Sequence, residues 1–213
     1  MPNPQVHAWY SALYHCVELR HAIPMQAIRT VWNAKPFFWL LLTIPAIAPL
    51  IGYFGGSLSA HDVVYPLGEW GARWLILALI VGPLATIFRR LGWAKWLVQR
   101  RRALGVMAFV YGLVHLVFYA IDKGTLDTIL AELPEIGIWT GWVAVLLMLP
   151  LALTSNDTSV RVMRAAWKKL HLLAYPAFVF VMAHWALIGD FGALVWAVPV
   201  IALQAWGFLI RKR

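Results

Sequence analysis

The stretch from Leu170 to Gly189 constrains this chain most: twenty consecutive residues without a charge, entered directly from Trp167-Lys168-Lys169. At about 1.5 Å rise per residue, such a run made helical crosses the roughly 30 Å hydrocarbon core of a bilayer. It leaves few folds open, because backbone polar groups in lipid must be satisfied within a helix or a closed barrel. Inside it sit two histidines, His171 beside the lysines and His184 deeper. Imidazole is costly in hydrocarbon unless something binds it, and neutral imidazole is a common axial ligand of haem iron. A third histidine, His115, lies in another uncharged run, Ala103–Ile121. We read the three as holding haem within a helical bundle.

The other apolar runs give that bundle its expected size. They are Phe37–Gly56, with Pro45 and Pro49 bending it, Glu69–Phe88, Ile136–Ser155 and Phe191–Ile210. Arg73, near the start of the second run, is expected to snorkel outward. Only 13% of residues are charged, about half the share in a soluble domain, so the chain is expected to be an all-α integral membrane protein of six spans. Residues 1–36 form a mixed segment suited to the membrane surface, and 37–213 form the transmembrane domain. The first long apolar run starts at Phe37, too late for a signal peptide.

The net charge of +9 does not imply nucleic acid, because its basic residues lie between spans. All but Arg73 and Lys123 of the 18 Lys and Arg fall in the N-terminal segment, the second and fourth connections and the C-terminus. By the positive-inside rule both termini are expected in the cytoplasm and the acidic loop of Asp122, Asp127, Glu132 and Glu135 outside. Thirteen tryptophans suit interface belts or a bundle interior around a flat ligand equally well. Cys16 is the single cysteine, which removes an internal disulfide, a four-cysteine zinc site and a cysteine-ligated cluster from this chain alone. No Gly-x-Gly-x-x-Gly or P-loop follows a predicted strand, and no Ser/His/Asp set or carboxylate pair lies in the spans. Flavin or nicotinamide chemistry must come largely from another protein, and no substrate catalysis is expected here.

Depth separates the histidines. His115 lies roughly 20 Å along a helix beyond Arg102, and His184 roughly 22 Å beyond Lys169. Both runs start on the same side, so these two can face one another and clamp one iron. His171 is about 20 Å from His184 along its own helix and cannot share that iron. A straight helix turns the two about 140° apart, and Pro176 between them can reorient one. At the depth of His171 the third run offers Arg101 and Arg102. An inner haem would have His171 with water, Arg101 or nothing opposite; alternatively the arginines pair with propionates or lipid phosphates. Each histidine also has a plain reading as a hydrogen-bonded structural residue, which the matched pair His115 and His184 weakens most.

Certain motifs carry a resemblance. Arg101-Arg102-Ala103-Leu104-Gly105 with Leu113-Val114-His115-Leu116-Val117-Phe118-Tyr119 looks like the third-helix motif of the MsrQ (YedZ) family. Leu151-Ala152-Leu153-Thr154-Ser155, Arg161, Trp167, Leu170-His171-Leu172-Leu173-Ala174-Tyr175 and His184 resemble its fourth-to-fifth helix region, and Gly82-Pro83-Leu84-Ala85 the end of its second helix. The match covers roughly residues 60–210, within the broader ferric-reductase-like transmembrane group.

The resemblance implies a b-type haem subunit, with one or two haems, of a methionine-sulfoxide-reducing pair. Electrons would come from a cytoplasmic flavin reductase or the quinone pool and pass to MsrP, a periplasmic molybdopterin enzyme. His115 and His184 match family haem-ligand positions and His171 the third histidine. Two-haem relatives carry a second histidine on the third helix, replaced here at about Arg101. The family is also linked to FMN, for which this chain shows no motif. Two rivals remain open: a stand-alone quinol- or ferric-reducing cytochrome b, and a small transporter relaying protons through histidines. The transporter would call for acidic residues within the spans, which five of the six lack.

Overall fold

The computed structural model describes residues 35–189 and 191–211. Most of the expected surface segment 1–36, with His7, His15 and His21, lies outside the described residues, as do Asp190 and the last two residues of the basic C-terminus. In order, the described helices are α1 (Lys35–Phe54), α2 (Ala60–Ile87), α3 (Gly92–Lys123), α4 (Leu126–Glu132), α5 (Ile136–Leu153), α6 (Asp157–Met163), α7 (Ala165–Leu170), α8 (Ala174–Ile188) and α9 (Ala197–Arg211). Tight 3₁₀ turns at His171–Leu173 and Phe191–Trp196 precede α8 and α9. The chain divides into two compact units, Met1–Thr43 and Ile44–Arg213, and the bundle discussed below belongs to the second.

Five helical stretches are long and apolar enough to cross a membrane: Pro36–Phe54, Ala60–Ile87, Gly92–Lys123, Ile136–Leu153 and Ala165–Ile188. The last expected span forms a shorter apolar stretch, Phe191–Gly207, which opens with the 3₁₀ turn. Large exposed apolar side chains such as Leu146, Leu153 and Val179 stud these stretches. In water that surface would be an aggregation liability; against lipid it is matched to its solvent.

Helix starts differ from the expected spans for local reasons. Helix α2 begins at Ala60 rather than Glu69, because Ser59 caps it: its hydroxyl accepts from the Asp62 backbone N–H while Asp62 reaches back to the Ser59 N–H. His61 and Asp62 are therefore in the first helical turn. Helix α3 begins at Gly92, so Lys95 and Arg100–Arg102 ride on it rather than connecting two spans. Charges interrupt hydropathy but not helix propensity. Arg73 gains a partner the hydropathy pattern does not suggest: it sits inside α2, and its guanidinium reaches back one turn to Glu69 at 2.9 Å.

Prolines explain the irregular places. Pro176 has no N–H to give Leu172 and would crowd that carbonyl, so the backbone tightens to the 3₁₀ turn at His171–Leu173 just before it. Within α2, Pro83 frees the carbonyl of Leu79, and Gln204 of α9 donates its amide to that oxygen at 3.0 Å. Packing pairs α2 with α3 and α5 with α8, while α9 and α8 lie along α2 and α3 meets α5. Their shared core includes Leu75, Leu79, Ala108, Met148, Ala177, Met182 and Trp185. At Gly71 an added Cβ would stand 3.4 Å from the Ala108 oxygen and the Gly112 nitrogen, so α2 and α3 approach backbone to backbone.

Candidate functional site: a histidine pair between four helices

A cavity of about 330 Å³ opens between α2, α3, α5 and α8, within the size range of cofactor pockets. Small residues make the room: Gly68, Gly71 and Ala72 on α2, Ala108 and Gly112 on α3, Gly141 and Ala144 on α5. Nothing lies within 4 Å of where a Cβ on Gly112 would sit. His115 and His184 enter from opposite helices, their ring centres 6.0 Å apart and their planes 84° apart.

Each imidazole is held in the same way. His115 donates Nδ1–H to the carbonyl of Val64 at 2.8 Å, and His184 donates Nδ1–H to the carbonyl of Gly137 at 2.7 Å. A carbonyl can only accept, so the proton of each neutral ring is on Nδ1 and the Nε2 lone pair is left for a ligand. Four residues after each carbonyl comes a glycine, one helical turn on. A Cβ at Gly68 would stand 2.8 Å from Nδ1 of His115, and one at Gly141 would stand 2.7 Å from Nδ1 of His184. These glycines let the rings press onto the neighbouring helix and reach an oxygen already engaged in the helical ladder. Gly137 also accepts from the Thr140 hydroxyl at 2.7 Å.

Two imidazoles bound to one metal ion, each through a bond of about 2 Å, have ring centres roughly 6 Å apart. The observed separation meets that requirement. Among the described residues no three His, Cys, Asp or Glu side chains gather around a common point, so the protein offers a metal these two nitrogens and little else.

The remaining expected site residues lie elsewhere. His171 does not line this cavity. Its ring stacks on Trp167, centroids 3.8 Å apart, and donates Nδ1–H to the Trp167 carbonyl at 3.0 Å. Its Nε2 faces the Ser155 hydroxyl at 3.4 Å, but that hydroxyl already donates to Leu151 at 2.7 Å. Arg101 donates Nε–H to the Ala78 carbonyl at 2.9 Å, and Gly82, again four residues on, borders its guanidinium. Arg102 pairs with Asp157 at 2.6 Å. Neither arginine lines the cavity with the histidine pair.

Sequence reasoning missed the glycines and carbonyls that seat the rings. Gly68 and Gly141 look like ordinary small residues of apolar runs, and only the facing helix reveals their use. It also missed the Glu69–Arg73 pair, although a charge inside a span is itself a signal.

Residues 67–182 match the family described as ferric reductase like transmembrane component. Curated relatives named protein-methionine-sulfoxide reductase heme-binding subunit MsrQ, from Brucella ovis, Brucella canis and Brucella suis, are 35% identical over 182 residues, covering 79% of this chain and 80% of each relative. No solved structure matches. With that family match over more than half the chain and this identity over most of its length, the chain belongs to the ferric-reductase-like transmembrane components and, among them, to the MsrQ family.

Proposed function

We propose that this chain is a haem b electron-transfer subunit in which His115 and His184 hold one haem between α3 and α8. The observation that carries the reading is the pair itself: two rings at the separation one iron requires, each with Nε2 left unprotonated by a backbone hydrogen bond. The donor set supports haem over a bare cation, because two protein nitrogens leave the other positions to a macrocycle. Haem, when bound, supplies a one-electron carrier. His115 and His184 would both be engaged in holding the group, which suits electron transfer better than substrate chemistry on this chain. The hydrogen bonds that the rings donate to the carbonyls of Val64 and Gly137 fix their orientation and raise the basicity of the ligating nitrogens. The cavity wall is mostly apolar, as suits a flat macrocycle.

In this reading the chain spans the inner membrane six times, with both termini cytoplasmic. The apolar stretch Phe191–Gly207 supports the sixth crossing, and the lopsided distribution of Lys and Arg supports the orientation. A cytoplasmic flavin reductase or the quinone pool delivers electrons, and MsrP receives them on the periplasmic side; the MsrQ name of the relatives supports this pairing. An inner haem at His171 is a separate proposal, resting on the match of His171 to the third histidine of the family. FMN rests on the resemblance alone and forms no part of the proposal.

The test is reoxidation. Dithionite-reduced protein, freed of excess reductant and mixed anaerobically with MsrP and methionine sulfoxide, should return to its oxidised spectrum. A spectrum that stays reduced with active MsrP present contradicts the proposed electron acceptor.

A further inference from the structure

Glu69 and Arg73 form an ion pair within α2, Oε2 to guanidinium nitrogen 2.9 Å, with about a fifth and a quarter of each side chain exposed. Charged groups at membrane depth are rare, and a pair there is a functional signal by default. Its surroundings connect it to the histidine site. Glu69 lines the cavity, as does Trp185. The Arg73 guanidinium lies over three tryptophan rings, 5.1 Å from Trp70, 5.7 Å from Trp185 and 5.7 Å from Trp196. Glu69 follows Gly68, which seats His115, and Trp185 follows His184. Glu69 is thus adjacent to the glycine that seats His115, and Arg73 lies over the residue that follows His184.

Helix stability alone does not call for this arrangement. An i,i+4 pair on an exposed helix adds only a few tenths of a kcal/mol, and lone charges in an apolar site carry a large desolvation penalty. The carboxylate and guanidinium together present almost no net charge to the cavity; either alone would present a full charge through a medium that screens poorly. The aromatic faces around Arg73 hold the cation in place and add cation–π attraction.

We infer that Glu69 and Arg73 are positioning residues that set the reduction potential of the haem held by His115 and His184, their paired charges holding the site near neutrality. This rests on the haem reading above. Reduction adds one negative charge to the site, so an unpaired Arg73 stabilises the reduced form and an unpaired Glu69 the oxidised form.

The experiment is spectroelectrochemical titration of the detergent-purified protein. Glu69→Gln should raise the midpoint potential and Arg73→Gln should lower it, each beyond the spread of repeat titrations. The double variant and Arg73→Lys should return close to wild type. Haem content and the oxidised spectrum should stay as in wild type, separating charge from loss of structure. Shifts of both single variants in the same direction, no shift, or loss of haem from either while Arg73→Lys retains it would overturn the assignment and make the pair a packing element. Wild-type protein without haem would instead overturn the reading beneath it.

Discussion

Gly141 of α5 lies flat against the imidazole of His184, so close that a methyl group there would stand 2.7 Å from Nδ1 and 2.8 Å from Cε1. Gly68 of α2 stands in the same relation to His115, at 2.8 and 3.0 Å. A ring pushed away from its glycine also loses the carbonyl behind it. Gly68→Ala and Gly141→Ala should each weaken haem retention by roughly 10–100-fold, the range for losing an outer partner of a metal ligand. Haem per chain after purification, by absorbance against protein concentration, checks this. Full occupancy in both variants would show that the rings have slack.

Gln204 is the partner of the carbonyl that Pro83 leaves open. Gln204→Leu keeps the volume and removes the donor, stranding the Leu79 oxygen between α2 and α9. Interhelical hydrogen bonds in membranes contribute about 1 kcal/mol, so the variant should melt a few degrees lower in detergent with haem content unchanged. An unchanged melting temperature would mean that another donor replaces the amide.

Beyond the end of α3, Glu132 of α4 accepts from the Tyr119 hydroxyl at 2.8 Å and from the Lys123 ammonium at 2.6 Å. The Lys123 hydrogen bond, then that of Tyr119, holds the Glu132 carboxyl below its ordinary value. A carboxyl lowered on folding contributes stability above its unfolded pKa, about 4.3, and loses it as pH falls through the lower folded value. Wild type should therefore melt above Glu132→Gln at neutral pH, and the gap should close below about pH 4. A gap independent of pH would show that the carboxylate charge is not what ties α4 to α3.

The membrane character and the pairing of two histidines were legible in the sequence because both depend on counting. Apolar runs give the helices, and distance from basic flanks gives depth, which places His115 and His184 at a common level. Boundaries were less legible. Ser59 and Asp62 extend α2 by a cap rather than by hydropathy, and Lys95 and Arg100 hide the start of α3 because charge does not end a helix. Contacts across helices were not legible at all. Arg73 is read from sequence as reaching for water, and the Glu69 carboxylate and three tryptophan rings around it come only from the structure. Which glycine faces a ring, or which amide meets an orphaned carbonyl, depends on the rotation of one helix against another, and that is set by packing over the whole bundle.

The most direct measurement is the reduced-minus-oxidised visible spectrum of the detergent-purified protein, with haem quantified per chain, beside His115→Ala, His184→Ala and His171→Ala. The account predicts a b-type spectrum in wild type, with the haem of the α3–α8 site lost in both the 115 and 184 variants and kept in the 171 variant. A wild type without haem after haem-replete expression, or a 115 or 184 variant with its spectrum intact, would contradict it.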